Sequence, residues 1–199
     1  ESRIRGLPAP GYRRAYASPN ARRATFEQAW ARTWPGVTVT RLEMSDPARI
    51  EEEVRMDFGL RIPGYADRVG EDALAFRPLG RARTWVESYA PTSSRPLPLV
   101  LDHAFENRFD TTWELPEGFE VERLPEGGEV RSRFGAASLR IEAGEDGAVH
   151  ATAHVAIEVA RVEPGDYPAF RAFLGEVDAL FGGRVVVRRT SAEPAPAGL

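Results

Sequence analysis

Two stretches of the chain carry opposite hydrophobic periods. In residues 54–62 the apolar Val54, Met56, Phe58, Leu60 and Ile62 alternate with Arg55, Asp57 and Arg61, the two-residue period of a strand with one buried face. In residues 167–181, Tyr167, Phe170, Phe173, Leu174, Val177, Leu180 and Phe181 recur at intervals of three and four, which gives a helix with one broad apolar face. Asp166 stands at the N-cap position, Pro168 lies in the first turn and Gly182-Gly183 come after the last, so this helix is predicted to be sharply bounded and to cover a sheet.

Weaker signals fill in the remainder. Ser18-Pro19 opens a run in which Phe26, Ala29, Trp30, Thr33 and Trp34 fall at helical spacing before Pro35-Gly36; a short amphipathic helix with an aromatic stripe is predicted. "VTVTRLEM" before residue 54 and "ALAFRP" after it read as strands. Beyond the Pro- and Ser-rich "YAPTSSRPLP" of residues 89–98, strands are predicted over 98–115, 118–123, 129–134, 137–143, 148–161 and 184–189. The tail "TSAEPAPAGL" has little apolar content to order it. The fold class implied by these elements is α+β, mostly antiparallel β. It would form two β-rich lobes, sandwich-like or sheet plus helix, with an N-terminal amphipathic helix and a C-terminal helix packed on a sheet. The lobes are expected at residues 1–92 and 93–199, divided at the Pro- and Ser-rich stretch.

This pattern decides how the candidate chemistry is read. The chain has three histidines, and His150 and His154 in "VHATAHV" have the spacing of a helical metal pair. Here they fall on a strand, because Ala151, Ala153, Val155, Ile157 and Val159 alternate with His150, Thr152, His154, Ala156 and Glu158. Four residues at roughly 3.3 Å each separate the two imidazoles by about 13 Å, too far for a shared ion. His103 shares a predicted apolar strand face with Leu101, Phe105, Phe109 and Trp113. On the opposite face Glu106 and Asp110 are again about 13 Å apart, beyond the reach of a glycosidase carboxylate pair. No catalytic, cofactor-binding or metal-ligating residue is assigned, and no cofactor is expected. Trp34, Trp85 and Trp113 are the candidate binding surface, since exposed aromatic side chains would mark a docking patch.

Composition narrows the classes further. All 26 basic residues are arginine and cysteine is absent, which excludes Schiff-base chemistry, a Walker-type phosphate loop, a thiol nucleophile and disulfides from this stretch. Residues 1–41 carry eight arginines against Glu1 and Glu27, while the rest carry 18 arginines against 28 acids. The arginines sit as scattered pairs outside any recognition motif, and no nucleic-acid partner is expected. The apolar runs are only a few residues long, so no membrane span is expected either. The start at Glu1 without methionine suggests part of a longer polypeptide or a processed form.

At "WELPEGFEVERLP", followed after a few strands by "VARVEPGDYPAFRAFLGEVDALFGGRVVVRR", the sequence resembles the C-terminal region of large bacterial transglutaminase-like proteins. In that family an N-terminal β domain precedes a transglutaminase core and a β-rich tail comes after it. The tail carries similar Leu-Pro turns, an entry such as Arg95-Pro96-Leu97, and a final helix with residues in the places of Tyr167, Arg171, Phe173 and Val177. The family's Cys-His-Asp chemistry belongs to the core, and none of it maps onto this cysteine-free chain. The resemblance implies a non-catalytic accessory module that supports the core or docks a substrate or partner, in an exported or envelope protein. Its partners would be the remainder of its own polypeptide and, for a docking role, a protein or envelope polymer. The alternatives are an independent binding module for a peptide, glycan or envelope polymer, and a hydrolase built on carboxylates that converge from different strands.

Overall fold

The computed structural model describes residues 2–4, 9–80 and 84–190; most of the tail expected to lack order, residues 191–199, lies outside them. Among the described residues the fold is α+β, with four helices and 13 strands in four sheets. Every strand pairing is antiparallel. The chain divides into two compact units, Glu1–Tyr65 and Ala66–Leu199.

The first unit contains β1 (Ser2–Ile4), α1 (Ala9–Ala15), α2 (Pro19–Ala31), β2 (Thr38–Met44) and β3 (Val54–Arg61), with sheet order β1-β3-β2. The alternation in β3 sends Val54 and Met56 into a core with Val39, Ala9, Tyr16 and Phe26, and Phe58 and Leu60 pack at its margin. The β2–β3 register shifts between Val39 and Arg41. Gly59 sits against that irregularity, where a Cβ would lie 2.5 Å from Thr40 Oγ1, so a larger residue there would require the Thr40 side chain to shift. α2 begins with Pro19 in its first turn, as predicted, but the Ser18 side chain makes no capping hydrogen bond.

The second unit runs β4 (Asp67–Val69), β5 (Ala73–Phe76), α3 (Trp85–Tyr89), β6 (Leu99–Val100), β7 (Phe105–Trp113), β8 (Phe119–Arg123), β9 (Gly128–Ser132), β10 (Gly135–Ala143), β11 (Val149–Ile157), β12 (Arg161–Val162), α4 (Tyr167–Phe181) and β13 (Val185–Arg189). Its sheets have the orders β7-β11-β10-β9, β4-β5-β13-β8 and β12-β6. α4 inserts Tyr167, Phe170, Phe173, Leu174, Val177 and Phe181 into a core with Ala137 and Leu139 of β10 and Ala153, Val155 and Ile157 of β11. Alanines at alternate strand positions leave room for the aromatic rings of the helix. Gly135 opens β10 at φ 152°, where a Cβ would lie 1.9 Å from the carbonyl oxygen of Ala156, a position closed to any other residue.

Three expectations change in detail. The strand expected over 98–115 is interrupted, giving β6 and β7 with His103 in the link between them. The Asp166 side chain does not cap α4; its carboxylate pairs with Arg133 instead. The division of the chain falls between Tyr65 and Ala66, so residues 66–92 belong to the second unit. β5 pairs with β13, and Trp85 and Ala90 are fully buried in the α4 core. The Tyr167 hydroxyl donates to the Thr92 carbonyl (2.8 Å). The Pro- and Ser-rich stretch is thus a loop bound within the second unit.

α3, only five residues long, is too short to carry an apolar period. Its N-terminus has all its donors satisfied. The Asp178 carboxylate of α4 accepts from the Trp85 N–H (2.6 Å) and the Val86 N–H (3.0 Å), while Thr84 and Glu87 form a reciprocal capping box. One carboxylate therefore fastens α3 to α4.

Candidate functional site

The outward face of the β7-β11-β10-β9 sheet gathers the polar residues that the sequence alternation exposes. His150 and His154 lie on β11, four strand positions apart, which confirms the extended reading of "VHATAHV". Each contacts the edge strand β7: His150 Nδ1 is 3.1 Å from Thr112 Oγ1 and His154 Nε2 is 2.8 Å from Glu106 Oε1. His150 Nε2 also lies 3.3 Å from Asp146 Oδ1 in the β10–β11 turn. Around them, charges alternate along each strand and pair at i, i+2: Glu106 with Arg108, Glu129 with Arg131, and Glu142 with Arg140. Such a face is locally neutral and well hydrated. Among the described residues no group of three or more His, Cys, Asp or Glu side chains could hold a metal ion.

His103 stands apart from this face. Its ring meets Phe105 edge-on with centroids 6.3 Å apart, and its Nδ1 is buried without a hydrogen-bond partner. Asp110 remains on β7 with Glu106, four positions along one strand.

The pairings on this face set a pH dependence. The hydrogen bond from Arg108, aided by His154, holds the Glu106 carboxyl below the ordinary glutamate value of 4.5. Asp146 is likewise held below 3.8, first by the Ala148 backbone N–H and then by His150. A carboxyl whose folded pKa is depressed stabilises the fold above its unfolded pKa, and that contribution is lost as pH falls through the lower folded value. The effect is small because Glu106 is about half exposed. In a carboxyl NMR titration, the Glu106 midpoint is expected below 4.5. Arg108→Gln is expected to move it upward, and an unmoved midpoint would assign the depression to another group.

The three candidate tryptophans divide between the two units and differ in exposure. Trp85 has no exposed surface at all; its ring stacks on Tyr89 and Phe105, so it is core and not a binding surface. Trp34 is half-buried and stacks on Trp30 (5.2 Å, 23°). Trp113 is also half-buried, packs on Phe76 (5.1 Å) and donates from Nε1 to the Pro78 carbonyl (3.1 Å). The large apolar side chains that do reach solvent are others, with Leu97 and Val100 at 69% and 67% among the most exposed.

The basic N-terminal region has a structural use that sequence did not reveal. The Arg13 guanidinium donates to the carbonyls of Pro47, Arg49, Ile50 and Glu52, closing the loop between β2 and β3. Arg22 donates to the Tyr16 carbonyl (2.9 Å) and Arg23 to the Val39 carbonyl. These guanidinium donors are directed at backbone rather than offered to phosphates. Among the described residues no helix is long and apolar enough to cross a membrane.

The second unit is thus an antiparallel β module backed by one long helix and a short helix capped from it. Residues 72–187, more than half of the chain, match the family described as Domain of Unknown Function with solved-structure structure (DUF3858), and the chain belongs to that family. A crystal structure from Parabacteroides distasonis, described as a "putative protease", is similar with 11% identity and a TM-score of 0.48, over 60% of this chain and 24% of that one. The present chain therefore spans about a quarter of the length of that protein. No curated protein matches the sequence.

Proposed function

We propose that this chain is a non-catalytic accessory module of a transglutaminase-like multidomain protein, supporting the core or docking a substrate or partner. The observation that carries this reading is where the recurrent residues of the resemblance fall. Tyr167, Phe173 and Val177 are buried anchors of α4, and the two Leu-Pro-Glu-Gly segments, Leu115 to Gly118 and Leu124 to Gly127, bracket β8. Residues of this kind preserve a scaffold rather than line a reacting centre. The carboxylate-hydrolase reading gains nothing from the sheet face, where Glu106, Glu129 and Glu142 are each paired to an arginine two residues away. A separate binding module remains the second reading, favoured by the exposed Leu97 and Val100.

The purified chain is expected to show neither peptide hydrolysis nor amine incorporation into glutamine-containing proteins. A turnover that persists through repurification and is lost on substituting one acidic or histidine side chain would sink the accessory reading. The coding sequence upstream of Glu1 tests the parent: a Cys, His and Asp in that order is expected there, and an independent start codon at Glu1 would count against a multidomain origin.

A further inference from the structure

We infer that the free edge of β8 is a docking site for an extended basic segment of a partner, which adds to the sheet as a strand. This deepens the docking reading above and rests on it. β8 ends the order β4-β5-β13-β8; β13 occupies one side, and among the described residues no strand pairs with the other. An unpaired edge offers a row of backbone donors and acceptors to an added chain.

The side chains of β8 divide as an added strand would need. Phe119 and Val121 are half-buried on one face, opposite Arg189 and Val187 of β13, while Glu120 and Glu122 are exposed on the other. The acidity extends beyond the strand. Residues 114–129 contain six glutamates against the single basic residue Arg123. Glu122 pairs with Arg188 and Glu129 with Arg131. Glu114, Glu117, Glu120 and Glu126 are exposed and form no ion pair among the described residues.

This charge selects the occupant. A second copy pairing antiparallel about Val121 would place Glu120 directly opposite Glu122, and like charges across a strand pair repel. A segment alternating arginine or lysine with apolar residues would instead meet the unpaired Glu120 on one face, with Glu117 and Glu126 beyond the strand ends, and extend the Phe119 and Val121 surface on the other. β8 is only five residues long, so the recognised segment is short.

The test is an NMR titration of the full chain with a short capped peptide alternating arginine and valine. Shift changes are expected to concentrate on Phe119–Arg123, and binding is expected to weaken about tenfold or more when salt is raised severalfold. The same peptide N-methylated at alternate amides, which removes one pairing edge, is expected to bind at least about tenfold more weakly. The surface triple variant Glu117→Gln/Glu120→Gln/Glu126→Gln, which leaves the core untouched, is expected to reduce affinity similarly. Absence of binding up to about 1 mM peptide, shifts centred elsewhere, or equal affinity of the N-methylated peptide would each overturn the site. Any of these leaves the accessory reading standing, whereas turnover by the isolated chain would sink that reading without moving these shifts.

Discussion

Phe170→Ala is expected to destabilise the second unit by about 3–5 kcal/mol, the range for truncating a fully enclosed aromatic side chain. Phe170 has no exposed surface and meets Phe134 edge-on, with centroids 5.4 Å apart and planes at 76°. It sits one helical turn from Phe173 and Leu174, in a core that also contains the small residues Ala137 and Ala153. Those alanines cannot expand into the void, so the cavity term is felt nearly in full. Net stability of a domain this size is typically about 5–15 kcal/mol, so the loss is a large share of it. Phe170→Leu keeps most of the volume and is expected to cost under about 2 kcal/mol. Urea unfolding read by tryptophan fluorescence checks both: the midpoint falls while the slope is retained. A Phe170→Ala loss below about 1 kcal/mol would mean that α4 does not pack on the sheet as described.

The second large effect belongs to a carboxylate. Asp178→Ala is expected to cost about 2–3 kcal/mol, because it strands two helix N-terminal donors in a half-buried place. The Trp85 and Val86 N–H groups point to Asp178 Oδ1 and Oδ2 respectively. An isolated five-residue helix has no stability of its own, since nucleation outweighs so few hydrogen bonds. Loss of the cap therefore frees α3, and with it Trp85, from the core. Asp178→Asn keeps one acceptor and is expected to lose about half as much. Two measurements report it locally: amide hydrogen exchange at Trp85 and Val86 accelerates, and the tryptophan emission shifts to the red. Unchanged exchange at both amides in Asp178→Ala would show that the capping box of Thr84 and Glu87 holds the helix alone.

These two effects also separate the features a sequence can disclose from those it cannot. β11 and α4 were legible because each buries one face continuously, and burial imprints a period of two or 3.6 on consecutive residues. The same logic placed both histidines on a strand. α3 is too short to show a period, and although Thr84 and Glu87 carry a local capping box, the carboxylate that fastens it comes from a residue more than 90 positions away. α1 was hidden because "APGYRRA" carries no apolar period, and its Arg13 is anchored to the 47–52 loop. Trp85 looked like a contact surface only because the helix that encloses it lies far along the chain. The β8 edge was invisible for a related reason: being an edge is a property of sheet order, and no local pattern encodes that order. The density of glutamates over residues 114–129 was the one local hint.

The position of β13 has a temporal meaning. It is the last described strand of the chain, yet it lies between β5 and β8 in its sheet, and Arg184 beside it reaches the Ala75 carbonyl across 109 residues of sequence. While the chain is being synthesised, β5 and β8 have no partner between them until residues 185–189 emerge, so closure of this sheet is a late, long-range event of the kind that slows folding. A nascent chain halted before Val185 would not be a shorter module with a missing edge. It would lack the strand that joins the β4-β5 pair to β8, leaving β8 without a sheet partner.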